Sequence, residues 1–270
     1  MSDSRLGSLI GRGRCAEVFA WDDGHVLKLF HESMSSMAAR ELKATQIAYQ
    51  SGLPVPAVEG LLEVDGRWGI VMERVDGPSM EDHLKSRPWS LFDCARVLAE
   101  LHAKMHSCEA TGLRSMKEVV EGAIGRDSGW PVPVREATLE CVNQLPEGNG
   151  ICHWDFHSGN IIMTEHGPII IDWSEAVLAN VFADAAMTWL LLRVSAIPPW
   201  VRMRQLLQMF RGGYYSLYLR YYRRLLPFRD EELTPWKVPV LAVHITRGIP
   251  EDRPRMLMLL ERLLKQLGYL

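Results

Sequence analysis

Two polar residues, Asp155 and Asn160, occur five positions apart in the stretch His-Trp-Asp-Phe-His-Ser-Gly-Asn. The stretch separates a helical pattern from a short predicted hairpin, so it is a loop held at both ends, where rigid scaffolds place reactive groups. A carboxylate in such a loop can accept the proton of an attacking hydroxyl, and an amide oxygen can bind magnesium. The alternative is a polar turn in which both side chains hydrogen-bond to backbone amides.

A second carboxylate, Asp172, directly follows three isoleucines, Ile169 to Ile171. A charge at the end of a buried strand is costly unless a cation meets it. Magnesium bound to a triphosphate is such a cation, and it prefers hard oxygen ligands. The alternative is a helix cap or a strand-end turn. Because Asp172 follows the Asp155–Asn160 loop by one hairpin, the metal-ligand interpretation is favoured.

A lysine and a glutamate form a candidate pair nearer the N-terminus. Lys28 has apolar neighbours on both sides in the predicted strand His25–Phe30. An amine on an inner strand needs an anionic partner, which either phosphate oxygens or Glu41 on the following helix would supply. The alternatives are an edge-strand lysine that faces water and a glutamate on an exposed helix face.

A glycine-bearing loop, with Gly11 and Gly13, precedes this pair. Glycines let a backbone approach phosphates closely and offer N–H groups to them. Predicted strands flank this loop on both sides, whereas a dinucleotide-binding loop opens into a helix, so a Rossmann site is not indicated. The alternative is an ordinary hairpin loop.

The elements that must position these residues fall into two parts, residues 1–75 and 76–270, which meet near Asp76-Gly77. The first part predicts a small antiparallel sheet with one inserted helix, and Asp23-Gly24 is suited to a tight hairpin turn. The second part is largely helical, apart from one small hairpin across His166-Gly167, with predicted strands Ile161–Thr164 and Pro168–Trp173. The predicted strands of the first part are Leu6–Ile10, Glu17–Trp21, His25–Phe30, Val58–Val64 and Arg67–Val75, and its helix is Ser36–Gln50.

Composition excludes several classes of protein. The net charge is −3, and the five cysteines contain no C-x-x-C pair, so neither a disulfide framework nor a zinc site is indicated. No signal peptide and no apolar run long enough to cross a bilayer is evident, which predicts a reduced, cytoplasmic protein. Residues 195–270 hold 13 basic and 6 acidic residues, but their arginines lie beside leucines on helices, so nucleic acid is not an expected partner.

In this order the segments resemble the protein kinase-like fold and, within it, the aminoglycoside phosphotransferase and choline kinase group. The family's catalytic loop, written H-G-D-x-H-x-x-N, is similar to His153–Asn160, and its I-D-W segment is similar to Ile171–Trp173. Leu98–His102 matches the family's L-A-x-L-H helix, and Val71–Val75 resembles the hinge that holds the adenine. The resemblance covers nearly the whole chain up to about Asp184.

The resemblance implies a role for each matching residue. Asp155 would be the catalytic base, and Asn160 and Asp172 would hold Mg²⁺. Lys28 would contact the α- and β-phosphates of ATP or GTP and be oriented by Glu41. The other nucleotide contacts would come from the glycine loop and the hinge, at Gly11, Gly13, Met72, Glu73 and Val75.

Some positions depart from the family pattern. Trp154 replaces the usual small residue beside the base, and it would either reshape the acceptor pocket or pack against the helical part. Ala16 replaces the third glycine of the loop, which suggests a less flexible loop. No A-P-E-like segment follows Asp172, which argues against a protein substrate. Asp184 matches an acidic residue with a structural role.

Together the residues and the resemblance predict an α+β, bilobal protein kinase-like fold and a Mg-dependent small-molecule kinase. It would transfer the γ-phosphate of ATP or GTP to a hydroxyl of a small metabolite or antibiotic, bound against residues 180–250. The basic C-terminal part makes a polycationic aminoglycoside a less suitable acceptor. The alternative is a pseudokinase or regulatory nucleotide-binding module, although no predicted base or metal residue is missing. The sequence predicts no membrane partner and leaves the oligomeric state open.

Overall fold

The computed structural model describes residues 6–127, 129–195, 204–247 and 250–270. These residues form two compact units, each built from two stretches of chain. The first unit comprises the described residues of Met1–Pro88 together with Ser158–Ala176, and the second comprises those of Trp89–His157 and Val177–Leu270. The lobe boundary at 75/76 stays a prediction.

The strands and helices alternate in a mixed order along the chain. The strands are β1 (Leu9–Arg12), β2 (Ala16–Asp22), β3 (His25–Phe30), β4 (Val58–Val64), β5 (Arg67–Glu73), β6 (Gly150–Cys152), β7 (Ile161–Thr164), β8 (Gly167–Ile170) and β9 (Val177–Ala179). The helices are α1 (Ser36–Gln50), α2 (Met80–Ser86), α3 (Leu91–His106), α4 (Met116–Gly125), α5 (Val132–Gln144), α6 (Val181–Trp189), α7 (Arg204–Leu225), α8 (Asp230–Leu233), α9 (Lys237–Arg247) and α10 (Arg253–Leu267).

An antiparallel sheet of order β1-β2-β3-β5-β4 forms the centre of the first unit. The turns Asp23-Gly24 and Asp65-Gly66 close two of its hairpins, and both glycines have a left-handed φ that side chains with a Cβ adopt at a cost. Strand β3 lies between β2 and β5, so its residues pair on both sides. One apolar cluster lies where α1 covers the sheet, and it contains Ala16, Phe30, Met37, Ala38 and Ile70.

The hairpin β7–β8 also belongs to the first unit, although it comes late in the sequence. The amide of Ile170 donates to the carbonyl of Pro54, and the amide of Met163 donates to that of Pro78. Gly77 is required at this join because a Cβ there would lie 2.4 Å from the Met163 carbonyl oxygen, at a φ of +150°. The hairpin is therefore tied to the chain that leaves the sheet.

The second unit is helical apart from the short antiparallel pair β6–β9. Helix α3 packs against α7, and α9 packs against α4, α6 and α10. Asn180 precedes helix α6, and its side-chain oxygen accepts from the Phe182 amide as a helix cap. Among the described residues, no helix is long and apolar enough to cross a membrane.

The predicted fold class, α+β with an antiparallel N-terminal sheet and a helical C-terminal region, is confirmed. The bounds of α1, β3, β4 and β7 match those predicted. Strand β1 runs over Leu9–Arg12 instead of Leu6–Ile10, and a register shift between Leu9 and Gly11 accompanies its pairing with β2. Strand β5 ends at Glu73, before the predicted Val75.

Candidate active site

The ammonium of Lys28 joins two carboxylates in the first unit. It donates to both oxygens of Glu41, at 2.7 and 2.8 Å, and to Oδ1 of Asp172 at 2.9 Å. The Lys28 and Glu41 side chains are 14% and 2% exposed, whereas that of Asp172 is 38% exposed. The alternatives of a water-facing lysine and an exposed glutamate are therefore wrong, since both side chains lie inside the unit.

Local structure explains why these side chains meet. Lys28 lies on an inner strand, opposite Val18 on β2 and Ile70 on β5. Glu41 lies on the buried face of α1, which covers the same sheet. Asp172 follows β8 with a left-handed φ of +64°, a conformation that Asp adopts more readily than most residues. The hydroxyl of Ser174 also donates to its Oδ1 at 3.0 Å.

The charges of this triad set the pKa values of its members. Burial alone would lower the pKa of Lys28, but Glu41 and Asp172 outweigh it and raise that pKa above its ordinary value. Burial raises the pKa of the Glu41 carboxyl to about 7, with Lys28 acting in the opposite direction. Lys28 is thus a fixed cation beside a half-exposed carboxylate.

Asn160 lies at the same end of the β7–β8 hairpin as Asp172. Ile161 pairs with Ile170, and beyond this pair the Ile171 amide donates to the Asn160 carbonyl at 3.0 Å. Asn160 takes part in this hydrogen bond, and Asp172 comes directly after Ile171. Both residues therefore lie at the same end of the hairpin. An amide and a carboxylate at one hairpin end form a set of hard oxygen donors that suits magnesium.

The glycine loop leaves space above its backbone. A Cβ built on Gly11 would meet no heavy atom within 4 Å, and one on Gly13 would meet only the Ala16 carbonyl oxygen, at 3.5 Å. Packing within the part of the chain that the structure describes therefore does not require glycine at either position. The open space fits a ligand that approaches the backbone closely.

The predicted hinge residues differ in their backbone pairing. The amide of Glu73 donates to the Ala57 carbonyl and that of Arg74 to the Gly24 carbonyl, both at 2.8 Å. Val75 lies beyond the end of β5, and its amide makes no hydrogen bond to any residue that the structure describes. Of these three amides, that of Val75 is the one available to a base. Met72 remains inside the sheet, paired with Val58 and Val26.

Asp155 lies in the second unit, in the loop after β6. Its side chain is half-buried, and its Oδ1 lies 3.7 Å from Nε2 of His157. Its amide donates to Nδ1 of His153 at 3.3 Å. The loop is also held at Phe156, whose carbonyl accepts from the hydroxyl of Thr188 on α6 at 3.0 Å.

Asp184 fixes the backbone just before Asp155. Its Oδ2 accepts from the His153 amide at 2.7 Å, and its Oδ1 accepts from the Trp154 amide at 2.8 Å. Trp154 has a φ of +65°, which is uncommon for a bulky side chain. Its side chain is buried. Strain of this kind persists where surrounding contacts over-determine it.

Residues that sequence analysis did not single out surround Asp184. His102 belongs to the L-A-x-L-H helix, but its neighbour His106 and the hydroxyls of Tyr218 and Tyr222 were not predicted to take part. Each tyrosine lies 116 positions from its histidine partner. The i, i+4 spacing of both pairs was the only available signal, and it does not indicate which helix faces which.

Comparison with known proteins also indicates a phosphotransferase. The model of the phosphotransferase enzyme family matches residues 8–228. No curated protein sequence matches the chain. A thermostable mutant of aminoglycoside phosphotransferase APH(4)-Ia shares 15% identity and a TM-score of 0.68, with 97% of this chain and 96% of that chain covered.

Two other solved structures are similar in fold. Amicoumacin kinase hAmiN shares 15% identity and a TM-score of 0.64, with 99% of this chain and 90% of that chain covered. A choline/ethanolamine kinase family protein from Mesorhizobium loti shares 15% identity and a TM-score of 0.59, with 96% and 87% covered. The predicted resemblance is confirmed, and since the family model matches well over half of the residues, the chain belongs to the phosphotransferase enzyme family.

Proposed function

We propose that this protein is a magnesium-dependent small-molecule kinase that transfers the γ-phosphoryl group of ATP or GTP to a hydroxyl of a small acceptor. The observation that carries the proposal is the placement of the Lys28 ammonium between Glu41 and Asp172, with Asn160 at the same hairpin end as Asp172. A lysine held by a buried glutamate is a fixed positive charge for phosphate oxygens.

In this proposal each residue of the first unit has one task. Glu41 holds Lys28 in place, and Lys28 binds the α- and β-phosphates. Asn160 and Asp172 would hold the magnesium, which when bound neutralises charge on the triphosphate. Gly11 and Gly13 let the loop backbone approach the phosphates, and the Val75 amide donates to the base.

Asp155 would accept the proton of the acceptor hydroxyl. Its carboxylate is partly exposed, as a group that touches a substrate must be, and its backbone is fixed by the contacts of His153, Trp154 and Phe156 described above. A positioned base of this kind contributes about 10²- to 10⁴-fold to the rate.

The relatives suggest the classes of donor and acceptor. A thermostable mutant of APH(4)-Ia is known as a ternary complex with ADP and hygromycin B, and hAmiN as a complex with AMP-PNP, Ca²⁺ and Ami. By analogy we propose a nucleoside triphosphate donor and a hydroxylated metabolite or antibiotic as acceptor.

The test is coupled release of ADP or GDP by the purified protein with Mg²⁺ and a panel of hydroxylated metabolites and antibiotics. We expect acceptor-dependent release, and we expect Asp155→Asn to lower it at least about 100-fold without weakening nucleotide binding by calorimetry. The exposed Glu165→Gln variant serves as control. Full activity in Asp155→Asn would show that the assigned base is wrong.

The same measurements separate the enzyme from a nucleotide-binding module. Stabilisation of the protein by Mg²⁺ and nucleotide in a thermal-shift assay is expected of both. Stabilisation without turnover of any acceptor in the panel, or of water, would favour the module.

A further inference from the structure

Two histidines and two tyrosines form a fully buried double chain of hydrogen bonds that ends on Asp184. His102 and His106 lie one turn apart on α3, and Tyr218 and Tyr222 lie one turn apart on α7. Nδ1 of each histidine is 2.6 Å from one tyrosine hydroxyl. Nε2 of each histidine lies 3.3 or 3.4 Å from Oδ2 of Asp184.

The chemistry of these groups fixes the direction of each hydrogen bond. Burial lowers the pKa of His102 to about 3, so the ring is neutral and has one N–H and one lone pair. Burial also raises the pKa of Tyr218 and Tyr222, so both hydroxyls keep their protons. A neutral ring whose Nε2 lone pair faced a carboxylate would be repelled by it. The Nε2–H tautomer therefore donates to Asp184, and Nδ1 accepts from the tyrosine.

The arrangement connects α7 to the loop that precedes Asp155. Because both histidines donate hydrogen bonds to Oδ2, the Asp184 carboxylate is held in one orientation. In that orientation its two oxygens accept from the amides of His153 and Trp154. His102 also stacks on Phe156 in the same loop, with ring centroids 4.4 Å apart. Each tyrosine hydroxyl is hydrogen-bonded to one histidine, and each histidine to Asp184, so this route from α7 to the loop passes through the histidines.

We infer that Tyr218 and Tyr222, acting through His102 and His106, are positioning residues for the Asp155 loop. The inference rests on the proposed kinase function for its effect on turnover, but the hydrogen-bond chain itself can be tested without any activity. The chain holds Asp184, Asp184 holds the strained Trp154 backbone, and that backbone places the Asp155 carboxylate.

The same three side chains, His102, His106 and Asp184, also have the composition of a buried metal site, with ligand atoms within 4.8 Å of one another. Two observations favour the hydrogen-bond chain instead. Oδ2 of Asp184 already accepts from a backbone amide, and each remaining histidine nitrogen has a hydroxyl partner at 2.6 Å, so every polar atom is satisfied without an ion.

The experiment compares Tyr218→Phe, Tyr222→Phe and the double variant with Tyr215→Phe as control. Tyr215 is buried on the same helix and its ring contacts that of Tyr218, but it makes no hydrogen bond to a histidine that the structure describes. Hydrogen exchange of the His153 and Trp154 amides is measured by NMR or mass spectrometry. We expect about tenfold faster exchange in the double variant, the equivalent of about one net hydrogen bond, and no change in the control.

Two further readouts separate positioning from a general loss of stability. With ATP or GTP, Mg²⁺ and water as acceptor, kcat is expected to fall about tenfold in the double variant while the nucleotide KM stays within about twofold. Nitrogen-15 NMR is expected to show the neutral Nε2–H tautomer for His102 of the wild type. If the double variant fails to fold, the single Tyr222→Phe variant decides.

Three results would overturn the inference: unchanged exchange of both amides in the tyrosine variants, the Nδ1–H tautomer, or a stoichiometric metal in the purified protein. If the kinase proposal alone fails, no nucleotide turnover is seen, yet the exchange and tautomer measurements still give their answer.

Discussion

Lys28 and Asp172 lie 144 positions apart in the sequence, yet the ammonium of one donates to the carboxylate of the other at 2.9 Å. The same ammonium donates to both oxygens of Glu41, so one cation is hydrogen-bonded to a buried carboxylate and to a half-exposed one. The buried partner fixes the lysine, and the exposed partner can turn to a ligand at low cost. This difference leads to separate expectations for stability and for binding.

The Lys28–Glu41 pair is expected to matter for stability. In Lys28→Met, Glu41 keeps its burial but loses its ammonium, so the free energy of unfolding should fall by about 3 kcal/mol. The double variant Lys28→Met/Glu41→Leu should recover most of that loss, because no buried charge remains. Urea unfolding at pH 7 measures both.

The matched control for this pair is Lys85→Met, which breaks an exposed ion pair with Glu81 on α2. It should cost less than about 1 kcal/mol. A loss in Lys28→Met as small as that in Lys85→Met would contradict the assignment of Lys28 and Glu41 as a buried pair.

Asp172 is expected to matter for metal-dependent binding. Asn tolerates the left-handed backbone of this position, so Asp172→Asn changes the charge with little strain. Nucleotide affinity with Mg²⁺, measured by calorimetry, should fall at least about tenfold, and affinity without Mg²⁺ should change little. Asp65→Asn, also at a left-handed residue but in the β4–β5 turn, is the control. Equal Mg²⁺ dependence in Asp172→Asn and the wild type would rule out this ligand role.

Backbone strain at Trp154 predicts an unusual order of stabilities. Both Trp154→Ala and Trp154→Gly lose a buried indole and should be about 3 kcal/mol or more less stable than the wild type. Because φ is +65° here, the Gly variant should be about 1 kcal/mol more stable than the Ala variant. At the exposed helical position Glu100 the order should reverse. Thermal unfolding of the four variants checks this, and an Ala variant at 154 that equals or exceeds Gly would show that the conformation carries no strain.

The pKa of His102 predicts a loss of stability in acid. Its value of about 3 in the folded protein lies below the ordinary value of 6.5, so between these limits the unfolded chain binds a proton that the folded one does not. This contribution is complete above pH 6.5 and is lost as the pH falls from about 6.5 towards 3, at up to about 1.4 kcal/mol per pH unit.

Glu41 has the opposite effect on the pH dependence of stability. Burial raises its pKa from the ordinary 4.5 to about 7, so its contribution to stability is lost as the pH rises through this range. The pH dependence of unfolding is therefore compared between the wild type and His102→Gln, which share Glu41. The difference in their free energies of unfolding should shrink as the pH falls. Parallel curves for His102→Gln would contradict a neutral buried His102.

Local patterns in the sequence were sufficient for many elements of the fold. The Asp23-Gly24 turn, the helix α1 and the hairpin β7–β8 each depend on residues within a few positions of one another. All three are found, although β8 ends at Ile170 instead of the predicted Trp173. The helix α4 and the three-residue strands β6 and β9 were not predicted. Strands that short have no readable alternation, and β6 and β9 depend on pairing with each other.

In the candidate site, too, the residue types were predictable from the sequence, but contacts between residues far apart in the chain were not. The residue types of Lys28, Glu41, Asn160 and Asp172 indicated a phosphate and metal site, and the structure places Lys28 in contact with Glu41 and Asp172. The hydrogen bonds between α3 and α7 join His102 and His106 to tyrosines more than a hundred positions away, and no spacing rule gives such pairs. The left-handed Trp154 was likewise outside any local prediction, because the contacts of Asp184 enforce it.

The grouping of Ser158–Ala176 with the N-terminal sheet has a consequence for biosynthesis. A ribosome that adds about 5–20 residues per second needs on the order of ten seconds to pass from Glu41 to Asp172. During that interval the emerging sheet lacks its late hairpin, and Lys28 has only Glu41 as a counter-charge. A nascent chain stalled before residue 158 would thus present an incomplete apolar surface to chaperones.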